Sequence, residues 1–182
     1  MSETPPLPAG YALRSPAADE APLLQAIDIE AGRLFADSAH PSAAEGPPTV
    51  LSAYRAHVRL GEALVAVDAS DRPVGFAVTG VLDDALHLYE LSVLPAHGRR
   101  GLGRILVEAV CDRARRRDLD AVTLATFRDV PWNRPFYARL GFREIGKADW
   151  TPALFKIHQR EAALGLPMAA RCLMRRPLDA SS

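Results

Sequence analysis

The chain of 182 residues has the length of one ordinary domain and is short for two. Hydrophobic residues make up 48% of it, enough to bury a core, and 22 Lys and Arg residues balance 22 Asp and Glu residues. A net charge near zero argues against a strongly basic nucleic-acid-binding domain, and no apolar segment reaches the length of about 18 residues that a membrane-spanning helix needs. We therefore expect a cytoplasmic protein that binds neither nucleic acid nor membranes.

The N-terminal part of the chain is predicted to be mainly helical. Residues 1–10 are acidic and proline-rich, do not resemble a signal peptide, and are expected to form a flexible arm. A short strand is predicted at Tyr11–Arg14, followed by a helix over Ala18–Phe35. The prolines and the glycine of His40–Pro48 predict a loop, and the next helix is expected over Thr49–Leu60.

The rest of the chain alternates predicted strands with predicted helices. Runs rich in Val, Leu, Phe and Thr between turn residues predict strands at Glu62–Val67, Pro73–Leu82, Ala85–Leu94, Ala121–Phe127, Phe142–Gly146 and Ala169–Arg175. Apolar residues at helical spacing predict a helix over Gly98–Arg117. A proline near the first turn and Gly141 at the end predict a short helix over Pro131–Leu140, and Thr151–Leu164 is expected to be a loop followed by a helix. This order predicts an α/β (α+β) fold, with a mixed, mostly antiparallel sheet of about six or seven strands flanked by helices. We expect one domain over residues 11–177 and a tail at 178–182.

The most informative segment is Leu91–Val110, which reads LSVLPAHGRRGLGRILVEAV. An apolar strand ends at Pro95, a basic glycine-rich turn follows, and a helical pattern begins at once. The first N–H groups of a helix have no internal partner and carry partial positive charge, and glycine lets a ligand approach the backbone closely. This arrangement predicts an anion site, with a phosphate group as the expected ligand.

Two common nucleotide-binding motifs do not fit this turn. A P-loop requires Gly-Lys followed by Ser or Thr, a combination that the sequence lacks. A dinucleotide-binding turn requires a third Gly or Ala at the position of Leu106. The antiparallel strands predicted before the turn also differ from the parallel strand–helix–strand unit of that fold. We therefore expect the phosphate group to belong to a ligand other than those bound by a P-loop or a dinucleotide-binding turn.

Together with a second motif, the turn resembles the GNAT superfamily of acyl-CoA-dependent N-acetyltransferases. The central motif of that family is a strand with a Val-x-Pro exit, followed by Gln/Arg-x-x-Gly-x-Gly/Ala at a helix start. The matching segments here are Val93–Pro95 and Gly98–Gly103. The family's aromatic-Tyr-x-x-x-Gly-Phe signature appears as Phe136–Phe142. The resemblance covers Tyr11–Pro177 and implies the GNAT form of the predicted fold.

The resemblance also implies acetyl-CoA as co-substrate and assigns the residues that would bind it. The pyrophosphate would lie on the turn and the helix start, and the pantetheine arm would pair with a strand as an extra strand does. The implied residues are Leu91, Ser92, Val93, Gly98, Arg99, Arg100, Gly101, Leu102, Gly103, Arg104, Asn133, Phe136 and Tyr137. Two positions depart from the family pattern: Gly98 stands in place of Gln or Arg, and Val130 stands where Asn is frequent. The asparagine nearest to that position in the sequence is Asn133, four residues before Tyr137.

Acetyl transfer to an amine requires that the amine lose a proton and that the departing thiolate gain one. An alkylammonium pKa of about 10 leaves little free base at neutral pH. The resemblance implies that Tyr137 is the general acid for the thiolate. Glu90 is the candidate base, because a carboxylate in an otherwise apolar strand must be paired, protonated or open to a cleft, and partial burial raises its pKa. Glu90 would act directly, through water, or as an anchor for the amine.

The acceptor is expected to be a primary amine of a small molecule or a peptide. Family members bind acceptors between the first helices and the last strands. The candidate acceptor-binding residues are therefore Glu30 and Phe35, near the end of the first helix, and Trp132, at the start of the helix that carries Tyr137. A non-catalytic acyl-CoA-binding or sensor module on the same fold is the alternative function. No metal site is expected, because the two cysteines, Cys111 and Cys172, have no metal-ligand spacing. Formation of a homodimer stays open.

Overall fold

The structure is a computed structural model that describes residues 5–46 and 48–178. Its strands are β1 (Ala12–Arg14), β2 (Ala63–Val67), β3 (Pro73–Leu82), β4 (Ala85–Val93), β5 (Ala121–Phe127), β6 (Arg143–Glu144) and β7 (Arg171–Pro177). In the described residues they form one seven-stranded sheet in the order β1-β2-β3-β4-β5-β7-β6. Only β4 and β5 are parallel neighbours among these strands. The predicted mixed, mostly antiparallel sheet flanked by helices is therefore confirmed.

Helices connect the strands and cover both faces of the sheet. Their bounds are α1 (Ala21–Gly32), α2 (Ser42–Glu45), α3 (Leu51–Arg59), α4 (Leu102–Arg115), α5 (Arg134–Arg139) and α6 (Pro152–Ala163). Across residues 5–46 and 48–178, none of the helices has both the length and the apolar character needed to cross a membrane.

Several predicted boundaries differ from the observed ones. The helix predicted over Ala18–Phe35 begins three residues later as α1 and continues as the 3-10 helix Arg33–Asp37, and the predicted loop contains α2. The helix predicted from Gly98 begins only at α4, because Gly101 adopts φ +82°, a left-handed conformation that ends any preceding helical path. Of the expected arm and tail, residues 1–4 and 179–182 lie outside the described ranges.

The sheet carries a hydrophobic core on each face. On one face, α4 buries Leu106 and Val110 together with Leu86 and Leu88 of β4. Cys111 is fully buried in the same core, as its place on the apolar side of the helix predicts. On the other face, α1 and α3 cover a second core of Ala21, Leu24, Ile27, Tyr54, Ala63, Val65, Val67, Phe76 and Val78. Each fully buried Val or Leu side chain contributes about 1.5–3 kcal/mol to the free energy of folding.

Candidate active site

The parallel strands β4 and β5 separate at their carboxyl ends. Their pairing stops at Leu88 opposite Leu124, although both strands continue. Over Tyr89–Val93, the edge of β4 that faces β5 therefore has no strand partner. A cleft with a volume of about 1640 Å³ opens at this place. Peptide groups along such an edge are available to a ligand that pairs as a strand does.

A bulge in β4 changes which side chains face the cleft. Val78 of β3 pairs with Glu90. The next residue, Thr79, pairs with Leu88, which leaves Tyr89 as an extra residue of β4 and shifts the alternation of faces by one. Leu88 packs in the core under α4, whereas the Tyr89 ring lies 5.6 Å from the ring of a histidine on α3. Tyr89 and Glu90 thus face the same side, toward α1 and α3.

Glu90 lines the cleft and is partly exposed to it. Its Oε1 atom accepts hydrogen bonds from the backbone N–H of Leu91 and the hydroxyl of Ser92, each at 3.2 Å. Burial, reinforced by the carboxylate of Asp28, raises the pKa of Glu90 to about 7. Both protonation states are then populated near neutral pH, which suits a group that accepts a proton and releases it again.

Tyr137 lines the same cleft from α5. It is 8% exposed, and its ring packs between Phe136 at 5.0 Å and Phe142 at 5.7 Å. Within the described residues, its hydroxyl makes no hydrogen bond. Burial, followed by the carboxylate of Glu90, raises the pKa of Tyr137. The phenol is therefore protonated at neutral pH and has a proton to donate.

The turn before α4 leaves backbone N–H groups free. Gly101 precedes the helix with φ +82°, and no side chain caps α4. The first N–H groups of α4 thus have no intrahelical partner and no side-chain cap. The turn residues that line the cleft are Gly98, Arg99, Gly101, Leu102, Gly103 and Arg104. Arg100 is exposed and is not part of the cleft wall.

Gly98, which departs from the family pattern, closes a tight turn. The backbone N–H of Gly98 donates to the carbonyl oxygen of Pro95 at 3.0 Å, which closes the 3-10 turn Pro95–His97. A Cβ atom on Gly98 would lie 3.1 Å from that same oxygen, which is closer than nine in ten real Cβ contacts. A side chain at this position would require the turn to shift by a few tenths of an ångström, and the basic side chains of the segment are those of the arginines that follow Gly98.

Asn133 carries an unused donor on the wall of the cleft. Its Oδ1 atom accepts a hydrogen bond from the hydroxyl of Thr126 at 2.8 Å. Its Nδ2 atom is buried and has no partner among the described residues. Val130, at the position where the family often has Asn, is 1% exposed and belongs to the interior. Asn133 therefore places a side-chain amide at the wall of the cleft, whereas Val130 does not line the cleft.

The structure separates the three candidate acceptor residues. Phe35 and Trp132 both line the cleft, and their ring centroids lie 5.9 Å apart. Phe35 also packs against Phe127 of β5 at 5.4 Å. Glu30 is exposed and lies outside the cleft, in a neighbouring depression of about 470 Å³ that it shares with Trp132.

Asp28, Tyr54 and Arg171 line the cleft although the sequence analysis did not single them out. Asp28 stands among apolar residues of α1, which is a weak signal, because one polar residue in a half-buried helix is ordinary. In the sequence, Tyr54 is an ordinary aromatic residue in a helix, and nothing there indicates that it lines a cleft. Arg171 begins a strand that contains other arginines, so its position in the cleft follows from the fold alone.

Comparison with known proteins identifies the family. Residues 30–142, more than half of the chain, match the model of the acetyltransferase (GNAT) family. The chain belongs to this family. A ribosomal protein bS18-alanine N-acetyltransferase of Salmonella typhimurium is 36% identical to this GNAT chain over 76 residues, which is 42% of the chain and 51% of that protein. The chain thus spans about half the length of the curated relative that it matches.

Solved structures share the fold over nearly the whole chain. The ribosomal-protein-S18-alanine N-acetyltransferase of Escherichia coli superposes with a TM-score of 0.65 at 18% identity, covering 94% of this chain and 96% of that one. The PaiA N-acetyltransferase of Thermoplasma acidophilum, solved in complex with coenzyme A, superposes with a TM-score of 0.68 at 11% identity, covering 92% and 99%. At such identities the likeness shows the fold alone, and it confirms the expected GNAT fold.

Proposed function

We propose that the chain transfers an acetyl group from acetyl-CoA to a primary amine, by direct transfer while both substrates are bound. The observation that carries this proposal is the convergence of Glu90, Tyr137 and the unpaired edge of β4 on one cleft. A base, an acid and free peptide groups beside them are what acyl transfer to an amine requires. The domain would extend over residues 11–177, and the reaction would take place in the cytoplasm.

The donor would bind along β4 and the start of α4. The free N–H groups at the start of α4 would hold the pyrophosphate, with charge supplied by Arg99, Arg100 and Arg104. The unpaired edge over Leu91–Val93 would hold the amides of the pantetheine arm. The buried, unpartnered Nδ2 of Asn133 would donate to an oxygen of the same arm.

The catalytic groups would move the protons. Glu90 accepts a proton from the acceptor ammonium, directly or through a water molecule. The nitrogen then attacks the thioester carbonyl carbon, and a backbone N–H of Leu91–Val93 stabilises the negative charge on the carbonyl oxygen. The carbon–sulfur bond breaks, and Tyr137 donates its phenolic proton to the sulfur. The second nitrogen-bound proton leaves as the amide forms and, through solvent, restores the proton of Tyr137. Glu90 releases its proton to solvent and is ready for the next cycle.

A thiol-release assay with a panel of acceptors tests this function. Purified enzyme and acetyl-CoA are mixed with alkylamines, diamines, amino acids and peptides, including a peptide with an N-terminal alanine, which the similarity to the bS18-alanine acetyltransferases brings into the panel. We expect thiol release above the hydrolytic background and an N-acetylated product by mass spectrometry with at least one amine class. Tight acetyl-CoA binding without any acetylated product would contradict the proposal and favour the non-catalytic acyl-CoA-binding or sensor module.

Changing Gly101 to Ala is expected to weaken acetyl-CoA binding about tenfold and to lower the free energy of unfolding by about 1 kcal/mol. The left-handed φ of +82° disfavours a side chain, and the new Cβ would point into space that contains no protein atom within 4 Å, where we place the pyrophosphate. Isothermal titration calorimetry with acetyl-CoA and thermal unfolding measure the two effects.

Gly61→Ala is the matched control for this change. Gly61 has a similar left-handed φ of +68° and an equally open Cβ position, but it lies at the end of α3 and outside the cleft wall. We expect the same loss of stability and an unchanged Kd for acetyl-CoA. Equal Kd values for wild type and Gly101→Ala would remove the pyrophosphate from the start of α4.

A further inference from the structure

Asp28 is a carboxylate of the cleft that the proposed mechanism does not use. It is half-buried on α1, and its Oδ2 atom accepts a hydrogen bond from the hydroxyl of Tyr54 at 2.7 Å. Tyr54, on α3, is 1% exposed and packs edge-on against Phe76 at 5.6 Å. Burial raises the pKa of Tyr54, so the phenol stays protonated and donates. Two helices and the sheet thus hold the Asp28 carboxylate in one position.

Asp28 and Glu90 each have an oxygen without a protein donor. Tyr54 donates to Oδ2 of Asp28, while Leu91 and Ser92 both donate to Oε1 of Glu90. Within the described residues, no group donates to Oδ1 of Asp28 or to Oε2 of Glu90. The two carboxyl groups line the same cleft, and the negative charge of Asp28 helps to raise the pKa of Glu90, as repulsion between like charges does.

The basic groups of the cleft do not offset this negative charge by direct contact. The guanidinium of Arg171 forms two hydrogen bonds with Glu161 and lies over the ring of Phe127 at 4.6 Å. Burial lowers the pKa of His87 to about 4, so it is neutral at pH 7. Among the described residues, no Lys, Arg or His side chain forms an ion pair with Asp28 or Glu90. Arg171 therefore acts on Glu90 only from a distance, where it opposes the rise of the Glu90 pKa, and no cation in the described part of the chain contacts either carboxylate directly.

We propose that Asp28, held by Tyr54, recognises the charged ammonium group of the acceptor, which is an aliphatic primary amine with no carboxylate beside its nitrogen. The ammonium would donate to the free oxygens of Asp28 and Glu90 and relieve the repulsion between them. Glu90 then takes one proton, while Asp28 keeps the nitrogen in place. An acceptor with a carboxylate next to the ammonium would bring a third negative charge to the same place. This inference rests on the proposed function, which supplies the role of Glu90.

Equilibrium binding to the enzyme saturated with CoA tests the inference without any turnover. The probes are n-butylammonium, its neutral analogue 1-butanol, and 2-aminopentanoate, which is the same chain with a carboxylate beside the ammonium. We expect wild type to bind n-butylammonium at least about tenfold more tightly than either of the other probes. We expect Asp28→Asn, which keeps the size of the side chain and an acceptor for Tyr54, to weaken n-butylammonium binding at least about tenfold and to leave 1-butanol within about twofold.

Two further variants separate charge recognition from packing. Asp19→Asn removes an exposed carboxylate just before α1 and is expected to bind all three probes as wild type does. Tyr54→Phe removes the donor but keeps the Asp28 charge, and it is expected to retain the preference for n-butylammonium over 1-butanol. Thermal unfolding of each variant reports its folding.

The outcomes distinguish this inference from the proposed function. It is overturned if wild type shows no preference for n-butylammonium, if Asp28→Asn weakens all probes equally, or if Tyr54→Phe loses the preference as completely as Asp28→Asn. If the preference depends on Asp28 while no amine is acetylated in the thiol-release assay, the ammonium site stands and the proposed function fails. If amines are acetylated and Asp28→Asn binds n-butylammonium as wild type does, the proposed function stands and Asp28 has no part in recognition.

Discussion

Changing Tyr137 to Phe is expected to lower kcat about 100-fold or more and to leave the Kd for acetyl-CoA nearly unchanged. The phenylalanine ring keeps the contacts with Phe136 and Phe142, and no protein hydrogen bond of the described residues is lost with the hydroxyl. Only the proton donor to the departing thiolate disappears. Because burial raises the pKa of Tyr137, the wild-type phenol is protonated throughout the neutral range. Steady-state thiol release and calorimetry with acetyl-CoA measure the two quantities.

Tyr11→Phe is the control for loss of a phenol elsewhere in the chain. The Tyr11 hydroxyl is hydrogen-bonded to Nδ1 of His97 at 2.8 Å, and Tyr11 itself is not part of the cleft wall. We expect its kcat to stay within about twofold of wild type. A Tyr137→Phe enzyme with kcat within about threefold of wild type would show that the thiolate takes its proton from another source.

The order of elements follows from sequence patterns that are local. β3 and β5 have the predicted bounds, because each is a continuous run of apolar residues and threonine between turns. The start of α4 was predicted too early, at Gly98. Helical spacing says which residues share a face, but it does not say that Gly101 takes a left-handed φ, since glycine adopts either hand. The fold class could therefore be predicted from the sequence, whereas the backbone geometry of the turn before α4 could not.

The candidate site depends on the bulge in β4, which is only weakly indicated by the sequence. Apolar residues of β4 that pack under α4 are Leu86, Leu88, Leu91 and Val93. Their period of two is broken between Leu88 and Leu91, and this is the position of the bulge. The bulge makes Tyr89 and Glu90 neighbours on one face. Asp28 had no comparable trace, because its partner Tyr54 lies 26 residues away and only packing of α1 on α3 brings them together.

Changing Glu90 to Gln is expected to lower kcat/KM about 100-fold or more at pH 8 and to abolish the rise of activity near pH 7. Burial and the Asp28 carboxylate raise the pKa of Glu90 to about 7. Only the ionised carboxylate accepts a proton, so wild-type kcat/KM should increase as the pH rises through about 7. Glutamine cannot titrate, and its profile should keep only the rise at higher pH that comes from deprotonation of the free amine, whose pKa is about 10. The difference between the two enzymes should shrink toward pH 5.5, where wild-type Glu90 is mostly protonated.

The raised pKa of Glu90 also determines how the stability of the fold changes with pH. Measuring that stability separates loss of catalysis from loss of folding. A carboxyl group whose pKa is higher in the folded state than in the unfolded state binds protons preferentially in the folded state. The fold is then favoured below the unfolded pKa of Glu90, and that advantage is lost as the pH rises through the folded pKa of about 7. Glu90→Gln removes this charged, half-buried group, so its melting temperature at pH 8 should equal or exceed that of wild type. An inactive variant that melts lower at pH 8 would mean that Glu90 supports the fold; an active variant with an unaltered pH profile would exclude it as the base.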